Sequence, residues 1–426
     1  MRIAVVGAGI AGLGSAHYLE RAGHQVTLFE AADYFGGHTH TVDVSLDGLT
    51  APVDTGFLVC NDHTYPNLLK LFADLGVGLA PSDMSFAVRA DRDNIEWSGT
   101  SLTSLFAQPG NALKPKFLRF LADIVRFNRQ TTGMVRSDEI PQTSVREFLA
   151  SEGFSPELFD WYLWPMVGSI WSSPRGDVLD FELAMLLRFC HNHGLLRVRN
   201  RPQWMTVRGG ARTYVERIIA GLADARLATP VERIVRGPGF VEIASGKGRE
   251  HFDEVVLACH SDQALRLLAN PTEQEQSALS AIRYQPNRCL LHTDAGLMPR
   301  RRKAWAAWNY LQVNDSDNAR PVALTYWLNQ LQPLPFKTAL FETLNPPVEP
   351  QASTVIAEFE YWHPLLNRAA IAAQRQITAI QGQNNTWYAG AWLRNGFHED
   401  GLSSALDVVG RIGEAVLPQE TRLAAE

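Results

Sequence analysis

Cysteine is scarce in this 426-residue sequence. There are four, Cys60, Cys190, Cys259 and Cys289, far apart and with no C-x-x-C pair. A disulfide scaffold or a cysteine-rich zinc site is therefore not expected, and a reducing cytosol suits the pattern. No apolar run reaches roughly 18 residues, so no segment is expected to span a membrane. Positive charge is not in excess. The net charge of −6 gives no global case for nucleic acid as a partner. Repeats of solenoid length are missing. Met1-Arg2 leads directly into IAVVGAG, from which no signal peptide is expected. What remains is an ordinary globular composition, 46% hydrophobic and 20% charged, long enough for two or three lobes around a large core.

The N-terminal stretch carries the first positive signal. RIAVV (2–6) is short, apolar and β-branched, as a buried parallel strand should be. Gly7, Gly9 and Gly12 follow in G-x-G-x-x-G spacing, then a helix with small residues such as Ala11, Ser15 and Ala16, ended by Gly23. HQVTLFE is a second strand with Glu30 at its carboxyl end, 18 residues after Gly12. Gly7 suits a tight turn, Gly9 a close approach of backbone to a pyrophosphate, and Gly12 close packing of helix on strand. The helix N-terminus faces phosphate, and Glu30 can accept from ribose hydroxyls. Strand, glycines, helix, strand and acid in that order predict a dinucleotide site. His38-Thr39-His40 beside Glu30 also has the look of half a metal site. No third ligand stands nearby at convincing spacing, and no metal is expected.

EAADYFGGHTHT (30–41) chooses among dinucleotides, because it resembles the extended fingerprint of the flavin amine-oxidase and phytoene-desaturase superfamily. The resemblance implies an α/β fold: a Rossmann-like FAD-binding domain (1–59, 202–270 and 381–426) interleaved with an α+β substrate domain (60–201 and 271–380). It implies non-covalent FAD. It places Gly36, Gly37, His38 and Thr39 beside the diphosphate, with His38 where the family has arginine. VDTGF resembles the later stretch that passes the flavin ring, with Gly56 and Phe57. LATPVERIV places Val231 at the adenine. WYAGAWLRNGFHEDGLSS resembles the closing motif, with Gly390 at the strand end, Asp400 as helix N-cap, and Gly401 and Leu402 near the flavin. This chain has Gly390-Ala391 where the family has Gly-Glu or Gly-Asp.

Between these units, residues 60–200 read as mainly helical. LKPKFLRFLADIVRFNR (113–129) puts Phe117, Phe120, Leu121, Ile124 and Val125 on one face, with six basic residues against one acid from Pro109 to Arg136. A core-facing surface helix and a helix resting on an anionic membrane both fit. DWYLWPMVGSIWSSP (160–174) is dense in aromatics, for core packing or for lining an apolar channel. PVALTYWLNQLQ reads as sheet. PRRRKAWAAWNY (299–310) joins basic residues to Trp305, Trp308 and Tyr310, as a solvated loop or a lipid-headgroup patch.

FAD would carry the chemistry, with the protein positioning a C–H bond against it. An amine oxidase of this family often has a lysine late in the second lobe. Here YQPNRCLL offers Asn287 and Arg288 instead. A sugar-nucleotide mutase would need an arginine-lined cleft, for which Arg197, Arg199 and Arg201 are available. A flavoprotein without catalysis is a further alternative. LHTDAGLMPRRRKAWAAWNY, YWLNQLQ and NGFHEDG resemble a bacterial amine-oxidase-like NAD/FAD-binding branch. That branch includes flavin desaturases of methylated fatty acyl chains. The resemblance implies formation of a conjugated diene beside a methyl-branched double bond of a phospholipid acyl chain. His398 and Glu399 are the first choices for the base, then His363 and Tyr361. The expected partner is a lipid or another apolar small molecule, with the electron acceptor open. The expected location is cytoplasmic or at the inner face of a membrane.

Overall fold

In the computed structural model, which describes residues 1–196, 201–313 and 322–416, RIAVV is the central strand of a parallel sheet. Four of its five residues are buried, as a strand covered on both faces requires. Gln25–Phe29 lies on one side and Glu254–Leu257 on the other. Asp224–Arg226 and Thr386–Tyr388 complete the five-stranded sheet, and every pairing is parallel. Side chains alternate between the two faces. Ile3, Val5 and Leu28 pack with the helices, while Ala4, Val6 and Phe29 meet an antiparallel layer, Val231–Gly237, Phe240–Ser245 and Gly248–Phe252. On the helical face, Ile10–Arg21 packs against the closing helix His398–Val416. Glycine makes that approach close, since a Cβ on Gly14 would lie 2.7 Å from Leu402, and Gly12 seats the same helix on the first turn, where a Cβ would lie 1.8 Å from the Gly7 carbonyl oxygen.

The second region is built on a seven-stranded sheet. Its order is Val355–Pro364, Tyr284–His292, Phe341–Leu344, Ala323–Trp327, Trp308–Gln312, Phe86–Ala90 and Ile95–Ser98. It is antiparallel except where Trp308–Gln312 meets Phe86–Ala90. Helices from Pro115–Ser137 to Leu183–Asn192 form the adjoining lobe. Thus 60–200 is less helical than its composition suggests. Phe86–Ala90 and Ile95–Ser98 form a hairpin, and Val88, Ala90, Ile95 and Trp97 are buried in it. PVALTYWLNQLQ is also only partly sheet: the strand ends at Trp327, and Leu328–Leu331 is a helical turn.

In the helix Pro115–Ser137, Phe117, Phe120 and Phe127 are buried, whereas Val125 points outward. The apolar face therefore runs through Phe127 rather than Val125. Among the described residues, no helix is long and apolar enough to cross a membrane.

Candidate active site

A single cavity of about 660 Å³ runs from the first parallel-sheet turn into the helical lobe. Its volume lies within the ~300–1,000 Å³ of small-molecule and cofactor sites. At one end the wall is backbone. Gly7 adopts φ +99°, and Gly9 caps the first helix with no side-chain cap and no acid in the first turn. A Cβ on Gly9 would meet nothing within 4 Å, so that position opens onto the cavity, and one on Gly37 would lie 3.1 Å from the Gly9 Cα. Bare helix N–H groups beside two glycine backbones make an anion-binding end. Glu30 lines the same end. Its oxygens accept N–H groups from Ala8 (2.7 Å) and Ala32 (2.8 Å), fixing the loop. Each oxygen keeps a further lone pair for a hydroxyl. Ala11 and Val231 also line this end.

The middle of the cavity is a histidine-rich junction. His38 lines it, with its ring 5.5 Å from His363 and 6.4 Å from His260. Burial, with His363, His260 and His398 nearby, lowers its pKa to about 3, so the imidazole is neutral. Its Nε2 is buried with no hydrogen-bond partner. An orphaned polar atom at a glycine-walled anion end fits a cofactor group that completes it. His40 is directed elsewhere: its Nδ1 lies 3.0 Å from the Tyr361 hydroxyl. Gly56 passes so close to His38 that a Cβ there would sit 2.0 Å from the His38 carbonyl oxygen.

Phe57 stacks on His398 at 3.9 Å between ring centroids. The His398 Nε2 is 2.6 Å from the Tyr214 hydroxyl, which also meets Thr39 Oγ1. Burial lowers the His398 pKa to about 3. Asp54 anchors this stretch. Its carboxylate accepts the Ala211 N–H at 2.8 Å, and its backbone N–H and carbonyl pair with the Gln332 amide at 2.9 Å each.

The far end of the cavity is made of side chains: Met84, Ile170, Trp171, Phe189, Trp308 and Tyr326. The aromatic stretch 160–174 therefore divides. Trp161 and Trp164 are core, while Ile170 and Trp171 enter the cavity. His193, which sequence reasoning missed, lines this end and stacks on Phe189 at 4.0 Å. Its Nδ1 is 3.0 Å from the Phe189 carbonyl, which only accepts. Nδ1 therefore carries the proton and Nε2 the lone pair. Burial lowers its pKa to about 4, keeping it neutral. The His363 Nδ1 lies 3.0 Å from the Ser172 hydroxyl and 3.2 Å from the Asn287 amide nitrogen. No local motif marks His193; only the fold brings it to the cavity.

Several expected residues lie elsewhere. Glu399 does not line the cavity. Its two oxygens accept the Asn67 and Leu68 N–H groups at 2.9 Å each, capping the helix Pro66–Leu75, so its position does not suit a catalytic base. Tyr361 is held by Thr55 at 2.7 Å and does not line the cavity either. Asp400 is not the N-cap. It is the third helical residue and accepts the Phe397 N–H at 2.9 Å. Gly12 packs the first helix on the Gly7 turn and Ala258, and Gly401 and Leu402 pack between the first and closing helices; none of the three is cavity wall. Thr39 lies one layer behind the wall, whereas Gly390 is in it. Arg288 points outward to Glu349 and Glu358. Arg197 and Arg199 lie outside the described residues, and Arg201 does not line the cavity.

Comparison with known proteins agrees with this geometry. AofH of Mycobacterium tuberculosis, named as a flavin-containing monoamine oxidase, is 29% identical over 274 residues, 60% of this chain and 56% of that protein. A 15-cis-phytoene desaturase of Synechococcus elongatus is 33% identical over 109 residues, 26% of this chain and 19% of that one. The chain thus spans about half the length, or less, of the curated relatives it matches. In fold it is similar to the CLA-producing fatty acid isomerase from P. acnes. The TM-score is 0.68 at 18% identity, over 96% of this chain and 98% of that one. It is similar also to cyclohexylamine oxidase from Brevibacterium oxydans, with TM-score 0.67 at 16% identity, over 97% and 99%. The glycine cradle fits FAD, the cofactor of this fold. The family model for flavin containing amine oxidoreductases matches residues 10–292, well over half of the sequence, and the chain belongs to that family.

Proposed function

We propose that the protein is an FAD-dependent oxidoreductase that desaturates an uncharged apolar chain. The substrate of this reading is a methyl-branched unsaturated acyl chain of a phospholipid, converted to a conjugated diene. The carrying observation is the composition of the cavity wall. Among the described residues, its one carboxylate is Glu30, at the nucleotide end, and no lysine lines it. The far end offers apolar and aromatic side chains and neutral imidazoles. Burying an ammonium there would leave its charge unpaired, whereas a hydrocarbon chain needs no partner. The desaturase relative and the fold shared with a fatty acid isomerase support the same substrate class.

FAD, when bound, supplies a two-electron acceptor for a hydride. The protein's part is to hold the chain, exclude water and receive the proton from the adjoining carbon. One C–H bond yields the hydride, its neighbour yields the proton, and the two carbons form the new double bond. His193 is the proton acceptor in this reading, since it lines the cavity end that takes the chain and its Nε2 carries the free lone pair. Amine oxidation is the second reading, supported by the relatives named as amine oxidases. Incubation of the FAD-loaded protein with methyl-branched unsaturated phospholipid tests the choice. A rise in conjugated-diene absorbance is expected. An unchanged lipid, with steady aldehyde release from a neutral amine, overturns it.

A further inference from the structure

Exposed apolar side chains concentrate in one stretch of the surface. Leu102 is 77% exposed, Leu113 87%, Leu118 48% and Val125 68%. Leu118, Ala122, Val125 and Arg129 stand at i, i+4, i+7 and i+11 of the helix Pro115–Ser137, one outward stripe. Its opposite side buries Phe117, Phe120 and Phe127 in the core, so the apolar stripe is not a misplaced core face.

The charge around this stripe is positive although the whole chain is negative. From 102 to 129 there are Lys114, Lys116, Arg119, Arg126 and Arg129 against Asp123 alone, and Glu157 of a neighbouring helix pairs with Lys116 at 3.5 Å, which leaves the surface net positive. Asp123 is buried, accepting the Ser155 N–H at 3.0 Å and an Arg126 N–H at 3.1 Å. A second basic segment, distant in sequence, joins the patch. The turn Arg302–Ala304 packs against the helix Leu102–Leu105. Arg302 lies over the Trp305 ring at 4.7 Å. Arg300 and Arg301 pair with Asp91 and Glu96, while Arg302 and Lys303 have no carboxylate partner among the described residues.

The sheet register connects this surface to the cavity. Phe86 pairs with Trp308, and Ala87 pairs with both Asn309 and Ser98. Leu102 and the Arg302–Ala304 turn thus lie off the end of the sheet from which Met84 and Trp308 line the cavity.

We propose that this patch docks the protein on an anionic lipid bilayer. Leu102, Leu113, Leu118 and Val125 enter the headgroup–acyl boundary, while the lysines and arginines meet lipid phosphates. The partner rests on the lipid reading of the cavity only for its biological sense, since the surface is read independently. An acidic protein would use the charges but not the leucines. A second copy of this chain would bring like charge against like.

The test is co-sedimentation of the FAD-loaded full chain with vesicles of phosphatidylcholine alone or mixed with phosphatidylglycerol. Binding is expected to the mixed vesicles only, and to fall with added salt. Lys116→Gln and Arg129→Gln should each weaken it about fivefold. Leu113→Asp with Val125→Asp should abolish it while flavin content stays at the wild-type level. Equal binding to both vesicle types overturns the proposal, as does no binding, or indifference to the leucine and valine variants. A concentration-dependent dimer broken by Leu113→Asp also overturns it, in favour of a second copy. Flavin bleaching by detergent-dispersed lipid is measured alongside. Bleaching without vesicle binding removes the docking surface alone, and vesicle binding without bleaching removes the substrate reading alone.

Discussion

The two ends of the cavity are built from different materials. The nucleotide end is made mostly of backbone, from glycines and an acid within residues 7–38. The substrate end is made of side chains delivered by separate segments, Met84, Ile170, Phe189, His193, Trp308 and Tyr326 among them. A backbone site needs missing side chains at fixed local spacing. A side-chain site needs the whole fold. The first tolerates almost no substitution at its glycines, and the second can change its occupant by changing one wall residue.

Substituting the glycines exposes the sharpest contrast. Gly12→Val places a side chain on the Gly7 carbonyl and should cost about 3 kcal/mol or more, read as loss of folded protein. Gly9→Val points into open cavity and should leave the apo fold intact while abolishing flavin content. If both variants fold and hold flavin equally, the distinction between packing glycine and cradle glycine collapses.

At the other end, His193→Gln should lower the rate of flavin reduction by ~10²–10⁴ with flavin occupancy unchanged. Glu399→Gln should leave that rate per bound flavin unchanged. It should cost about 1 kcal/mol of stability, measured by thermal melting, through weaker capping of Pro66–Leu75. A rate loss in Glu399→Gln and none in His193→Gln would reverse the assignment.

A buried acid behind the substrate wall gives a pH signature. Glu342 pairs across strands with Tyr326, accepts the Cys289 thiol at 2.8 Å, and leaves Oε2 without a partner. Burial raises its pKa to about 8, with Asp54 adding to the shift. Between about pH 5 and about pH 8 the native protein keeps this proton while the unfolded chain releases it. Stability contributed by the protonated form is therefore lost as pH rises, by an amount on the order of 5 kcal/mol. Glu342→Gln should flatten that decline in melting temperature; an unchanged decline would assign it to other groups.

The smallest effect is expected at the nucleotide end. His38→Arg restores the family's usual residue and should preserve flavin occupancy. Loss of turnover at full occupancy would give His38 a part in the reaction.

These contrasts explain what the sequence could disclose. Gly7, Gly9, Gly12 and Glu30 announced the α/β fold and its dinucleotide, because helix and strand geometry fixes their separations locally. His398 was reachable through resemblance of the closing motif, whereas His363 stood out only as a histidine amid the apolar residues of FEYWHPLL. His193 was not reachable, because only the fold brings the end of its helix to the cavity, nor was Asp54, whose partners Ala211 and Gln332 lie far away in sequence. Glu399 misled for the same reason: its partners, Asn67 and Leu68, are more than 300 residues away.

The proposed reaction depends on the far end of the cavity taking an uncharged apolar chain. Anaerobic rapid mixing of the FAD-loaded protein with methyl-branched unsaturated phospholipid, and separately with amines, tests it most directly. Bleaching of the flavin absorbance by the lipid, and none by the amines, is expected. Bleaching by an amine with an inert response to lipid would contradict it.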